Sequence, residues 1–202
     1  MNISEMLGEY ERDYALAMLG VEDFPYQKLS GKTIVVDGES EYMKFTVCMS
    51  LLALNDKEKL SIKVLMLGNG NELSEKLAER NDFSLCSYEQ AAATEYNFFI
   101  STGICGLELN GTSAEYCRIT NNFARAISTA KSCLERCILL SDYRVYGELE
   151  RGLVISENEA GFVPFSNNGD MSQTIAVSIE TYFSAYAKQF NLPTIILRSG
   201  IL

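Results

Sequence analysis

Gly31-Lys32-Thr33-Ile34-Val35-Val36-Asp37-Gly38 reads as a β-strand that runs into a tight turn, and Glu39-Ser40-Glu41-Tyr42-Met43-Lys44 then leads into an apolar helix over residues 45–54. Four consecutive β-branched residues, Thr33 to Val36, favour an extended chain, and a glycine soon after such a run marks a turn. Strand, turn and helix in this order open an α/β fold. Outward from this unit the alternation continues. Strands are expected over 62–67, 97–101, 137–141 and 194–197, and helices over 72–80, 114–132 and 172–190. Apolar strands alternating with helical patterns predict a parallel sheet covered on both faces, a doubly wound three-layer architecture. Residues 1–28 read as an amphipathic helical arm, with Ile3, Met6, Leu7, Tyr10, Tyr14 and Met18 at helical spacing and Pro25 as its end. The rest, 29–202, reads as one domain, and the Gly-, Asn- and Glu-rich stretch 148–171 as a long surface loop.

The 202 residues carry a net charge of −10. Nucleic acid is excluded, because its phosphates need a basic face. No run of about 18 apolar residues marks a membrane span, and the charge-interrupted start of the chain is not a secretory signal. Six cysteines include no C-x-x-C pair, and histidine is absent. Reduced, buried thiols in a cytoplasmic protein are expected, with no metal site.

Three segments carry a resemblance. Residues 29–36, Leu-Ser-Gly-Lys-Thr-Ile-Val-Val, resemble the opening strand of the NAD-dependent epimerase/dehydratase family, the extended short-chain dehydrogenases that modify nucleotide sugars. Residues 135–148, with Ser141-Asp142 and Val145-Tyr146-Gly147, are similar to that family's "K-R-F-V-F-L-S-S-x-x-V-Y-G" strand and loop. Glu180-Thr181-Tyr182, Leu192-Pro193-Thr194 and Leu197-Arg198 resemble the helix and strand that follow its catalytic tyrosine. The resemblance implies a Rossmann-like fold and, if any cofactor binds, NAD(P).

The family's functional positions depart from its pattern. On the glycine-rich turn Gly38 keeps the first glycine, while the second falls on Glu41 and the third on Lys44. The second glycine lets a pyrophosphate reach the backbone and the third lets helix and strand pack closely. A carboxylate at Glu41 opposes each phosphate charge by about 4 kcal/mol at 4 Å and an effective dielectric near 20, and Glu39 adds to that, unless Lys44 swings toward the phosphates. The second strand ends Leu67-Gly68-Asn69 with no carboxylate for a ribose, and the small pair after the next matched strand falls near Ser101-Thr102-Gly103. The polarising Ser/Thr falls on Asp142, the tyrosine of Y-x-x-x-K on Ser172 and its lysine on Ala176. No tyrosine in the chain has a lysine four residues later, so the phenolate base tuned by a lysine is missing. The chain also ends before most of the family's substrate lobe.

Three readings follow. The first is a non-catalytic relative, a pseudoenzyme with no cofactor and no catalytic residues. It would act as an interaction or regulatory domain, as a homo-oligomer or as partner of an active homologue. Its dimer face would be helices 114–132 and 172–190, as in the family. The second is an active NAD-dependent enzyme with atypical residues, with Asp142 as base beside Tyr143 or Tyr146. The third is a small-molecule-binding module that accepts a neutral or cationic ligand through Glu39 and Glu41.

Overall fold

The computed structural model describes residues 25–68, 72–147, 156 and 171–200. The arm over 1–24 and nearly all of the stretch 148–171 lie outside them.

Six parallel strands form one sheet: β1 (Thr33–Asp37), β2 (Lys63–Leu67), β3 (Phe83–Cys86), β4 (Tyr96–Ser101), β5 (Cys133–Asp142) and β6 (Thr194–Ser199). Their order is β3-β2-β1-β4-β5-β6. The order reverses between β1 and β4, and a crevice opens at the carboxyl end of that switch point. This is the doubly wound fold that the alternation of elements predicts.

Five α-helices cross between the strands: α1 (Glu41–Glu58), α2 (Glu72–Leu77), α3 (Tyr88–Ala92), α4 (Ser113–Ser128) and α5 (Ser172–Phe190). Helix α1 presents Phe45, Cys48, Met49, Leu52 and Ala53 to one face of the sheet, at the spacing that one helical stripe allows. They pack with Ile34, Val36, Val64 and Met66 of β1 and β2. Helices α4 and α5 cover the opposite face, where Ile119, Phe123, Ile175 and Phe183 meet Val35, Phe99, Cys137 and Leu139. Period-two alternation sends Ile34 and Val35 into different cores from neighbouring positions.

The ends of the helices are written locally. Ser40 caps α1 by accepting from the Met43 N–H at 3.3 Å, and Thr112 caps α4 through the Glu115 N–H. Helix α1 stops at Lys59 and α5 at Asn191, both left-handed. Strand β5 begins at Cys133, four residues before the expected start, because an irregularity opposite β4 lets Cys133 pair with Tyr96.

Strand β3 and helix α3 fall between the expected helix 72–80 and the expected strand 97–101. The helical pattern 114–132 divides into α4 and a 3-10 turn, Thr129–Ser132. All six cysteines are free thiols, and Cys117 is exposed whereas the other five are buried. Burial pushes the Cys48 thiol up to about 12, so it is a packing group. Among the described residues no helix is long and apolar enough to cross a membrane, and no three metal-ligating side chains cluster.

Candidate functional site

The crevice is organised around Gly38. Its φ is +156°, and a Cβ there would lie 1.8 Å from Thr102 Oγ1. Only glycine lets the turn after β1 touch the turn after β4. Two backbone bonds zip these turns together: Thr102 N–H donates to Asp37 O at 2.8 Å, and Glu39 N–H donates to Gly103 O at 2.9 Å. Ser101 Oγ accepts from Gly103 N–H and donates to Asp37 Oδ2. Thr102 Oγ1 is buried and has no hydrogen-bond partner among the described residues. Ser101, Thr102 and Gly103 therefore form a knot beneath the crevice.

Asp37 sits under this knot. Burial raises its pKa to about 6, against the pull of the nearby Lys44 ammonium and the Gly38 N–H.

Lys44 is the main departure from expectation. It does not reach out to the space where phosphates would lie. It turns inward, is 4% exposed, and donates to Glu41 Oε1 at 2.7 Å and to Leu67 O at 3.2 Å. The side chain at the third glycine position thus fills the gap between the ends of β1 and β2 and neutralises the carboxylate at the second. Glu39 is also not a bare charge. Arg118 donates to its Oε2 at 2.5 Å and Asn122 to its Oε1 at 2.9 Å, both from α4. The two acidic groups expected to repel phosphates or to receive a cation are each held by a partner.

Over β1, β2 and β3 a cleft of about 700 Å³ remains open, lined by Gly38, Glu41, Lys44, Tyr88, Arg118 and Arg125 among others. The Arg125 guanidinium lies 4.6 Å from the centre of the Tyr88 ring, a cation–π contact. Burial, with Asp37, Glu39 and Glu41 nearby, pushes the Tyr88 phenol up to about 12. Of the positions singled out in the sequence, Gly38, Glu39, Glu41 and Lys44 line this cleft. Tyr88, Arg118, Asn122 and Arg125 were not singled out. Ser87-Tyr88-Glu89-Gln90 is a capping box, so the S-x-x-Q spacing could have revealed α3 and the wall it builds.

Over β4 and β5 a loop narrows the crevice, and a smaller cavity of about 420 Å³ remains beside it, lined by Cys105, Leu107, Asp142, Tyr143 and Arg144 among others. Residues 102–107 coil back across the edge, with Ile104 and Cys105 buried. Gly103 (φ +52°) has no room for a Cβ beside Leu140 O, and Gly106 (φ +69°) would meet Met43 Cγ at 2.7 Å. Arg144 pins this loop by donating to Ile104 O at 3.4 Å and Leu107 O at 3.2 Å. Asp142 holds Arg144 through both oxygens: Nε to Oδ1 at 2.7 Å and Nη2 to Oδ2 at 2.8 Å. Its Oδ1 also accepts the Arg144 N–H at 2.9 Å. The bidentate fork raises the Arg144 pKa despite partial burial. Ala176 is buried against the α5 core, and Ser172 is the half-buried first residue of that helix. Behind them Ser141 donates to Glu180 Oε1, and Arg198 bridges to Glu180 at 2.9 Å.

No protein-family profile matches the sequence, and no curated protein matches it either. Solved structures do match by fold. UDP-glucuronic acid 4-epimerase from Bacillus cereus, in complex with NAD, superposes with a TM-score of 0.60 at 17% identity over 83% of this chain and 56% of that one. dTDP-glucose 4,6-dehydratase from Bacillus anthracis, also with NAD, gives 0.55 at 13% over 83% and 54%. Vestitone reductase from alfalfa gives 0.55 at 14% over 82% and 55%. The chain thus spans little more than half the length of the structures it matches. What these matches establish is a shared fold: a Rossmann-like α/β domain whose neighbours include NAD-dependent epimerases and dehydratases.

Proposed function

We propose that this chain is a non-catalytic relative of the nucleotide-sugar epimerases and dehydratases and acts as an interaction or regulatory domain. The observation that carries the reading is the Asp142–Arg144 fork. At the position where the resemblance implies a polarising hydroxyl, a buried carboxylate spends both oxygens on holding a loop. The other two positions hold Ser172 and Ala176, and neither of them supplies a phenol or an ammonium. Both Asp142 oxygens are committed to Arg144, which leaves the carboxylate poorly placed to reach a substrate proton.

The cofactor that the fold implies is NAD(P), and the residues present do not fit it. The first turn of α1 offers its Met43 N–H to Ser40 rather than to a phosphate. Lys44 occupies the close-packing position, and the loop 102–107 lies against Met43. The pairing of Glu41 with Lys44 removes much of the charge repulsion, so the argument rests on occupied space and committed donors.

A cytoplasmic setting goes with the free thiols. The interaction face in this reading is the outer groove between α4 and α5, a cavity of about 360 Å³ lined by Tyr116, Cys117, Phe123, Ile179 and Tyr182, with Tyr182 exposed. The occupant would be a second copy or an active homologue.

Calorimetric titration of the purified protein with NAD+, NADH, NADP+ and NADPH tests the reading. No saturable heat is expected up to millimolar ligand. A dissociation constant in the low micromolar range for any of the four would overturn it. The variant Glu41→Gly with Lys44→Gly is expected to remain without binding, because the loop pinned by Arg144 is still in place.

A further inference from the structure

Among the described residues, nothing covers one face of one half of the sheet. On the α1 side Ile34, Val36, Val64 and Met66 of β1 and β2 are buried under the helix. Register carries the same face across the sheet. Ile34 and Val36 pair with Phe98 and Ile100 of β4, which pair with Arg136 and Ile138 of β5. Ile138 and Leu140 in turn pair with Ile195 and Leu197 of β6. Burial falls steadily along this row. Phe98, Ile100, Ile138 and Leu140 are half-buried, Ile195 is 39% exposed and Leu197 50%. The opposite side of the same strand is fully buried, at Cys137 and Leu139. An amphipathic edge would place polar residues on its open face, but here six of seven side chains are apolar. Contiguous exposed apolar surface of this kind marks a contact.

The described chain begins on this same side. Tyr26 and Leu29, in the 3-10 turn that precedes β1, pack against the core cluster under α1, which Phe98 and Ile100 also join. Twenty-four residues precede Pro25. Their sequence places Ile3, Leu7, Tyr10, Tyr14 and Met18 on one helical stripe, with Glu5, Glu9, Arg12 and Asp13 off it. The stretch carries six carboxylates against one arginine, and the only charge in the bare row is Arg136. Strands β4 to β6 lie within about 15 Å of β1 at ~4.8 Å per strand, and 24 helical residues would reach about 36 Å.

We propose that residues 1–24 of this chain dock their apolar stripe on the bare α1-side face of β4, β5 and β6. This inference is independent of whether the crevice binds a cofactor. Side, length, stripe and charge agree with this occupant, whereas a second copy would have to bring an apolar face of its own.

Photo-crosslinking of the full chain tests it. p-Benzoylphenylalanine replaces Leu197 in one preparation and Ile195 in another, so a folding defect at one position leaves the other. Irradiation at low micromolar protein followed by peptide mapping should link either position to residues 1–24 of the same chain, with a yield independent of concentration. A covalent dimer as the main product, a link to a co-purifying protein, or no link to residues 1–24 overturns the proposal. A second measurement adds Leu7→Asp with Tyr10→Asp to each preparation. The intrachain yield should fall at least about fivefold, and an unchanged yield overturns docking through the stripe.

Discussion

The carboxyl edge of the sheet is open over β1–β3 and closed over β4–β5, although the same two turns supply both regions. On the open side, charges replace glycines and are absorbed locally: Lys44 folds back on Glu41 and Leu67 O, and Arg118 and Asn122 hold Glu39. The cleft keeps its volume. On the closed side no charge is left to its neighbours. One buried fork, Asp142 to Arg144, reaches across to two carbonyls of the loop 102–107 and draws it into the crevice. The contrast teaches that a crevice can be remodelled in two ways. Short-range pairing changes what an open cleft attracts, and a long-range pin narrows the cleft to a smaller cavity.

Gly38 stands at the boundary, and the strongest way to break the contrast is to replace it. In Gly38→Ala the new methyl would overlap Thr102 Oγ1 at 1.8 Å in a backbone region that alanine avoids. A loss of about 3 kcal/mol or more is expected in urea denaturation. Adding Thr102→Ala should recover part of it, because the Oγ1 overlap is removed while the contact with the residue-102 Cβ at 3.1 Å remains. Equal losses in single and double variants would mean that the turns are not zipped as described.

Unpinning the loop comes next. Arg144→Met leaves Asp142 buried without its fork, a situation that typically destabilises by about 2–4 kcal/mol. Adding Asp142→Asn should recover much of that by removing the uncompensated charge. Amide exchange over residues 104–107 should speed up in both variants, since both lose the two bonds to the loop carbonyls. Unchanged exchange there would show that the loop stays in the crevice for other reasons.

The sheet was legible from the sequence because β1, β4 and β5 each carry an unbroken apolar run, Ile34–Val36, Phe98–Ile100 and Cys137–Leu140, which period-two alternation cannot place on one face. Strand β3 was not, since Phe83-Ser84-Leu85-Cys86 is only four residues long and Ser84 interrupts its apolar run. In the site, Gly38 and the charged residues at 41 and 44 that line the cleft could be read from their place after β1. Which way Lys44 points, and that Arg144 belongs to Asp142, could not. Both depend on where Leu67 O and the carbonyls of Ile104 and Leu107 lie, and those positions are set by packing across more than twenty residues of sequence.

The buried carboxylate of Asp37 offers a test through pH. Its folded pKa, about 6, lies above the ordinary value of 3.8. The group therefore favours the folded state fully below about pH 4, and that contribution is lost as pH rises through 6. Once ionised, it opposes folding by on the order of 1–3 kcal/mol. Asp37→Asn should accordingly stabilise the protein by that amount at pH 8 and by nearly nothing at pH 4, with Ser101 still able to donate to the amide oxygen. Denaturant melts of both proteins across this range measure the difference. A variant less stable than the parent at pH 8 would place Lys44 much closer in effect to Asp37 than to Glu41.

The smallest effect is expected where the two regions differ least from ordinary surface. Arg118 is about half exposed in its pair with Glu39, and exposed ion pairs contribute about 0–1 kcal/mol. Arg118→Ala should thus leave stability within about 1 kcal/mol of the parent, because Asn122 continues to hold Glu39. Its effect should appear instead as salt dependence. In the parent, raising salt from low to high ionic strength screens the pair; in the variant that part of the response should vanish. A loss above 2 kcal/mol would mean that Glu39 is buried by α4 rather than paired at its surface, and the open side would then be pinned as firmly as the closed one.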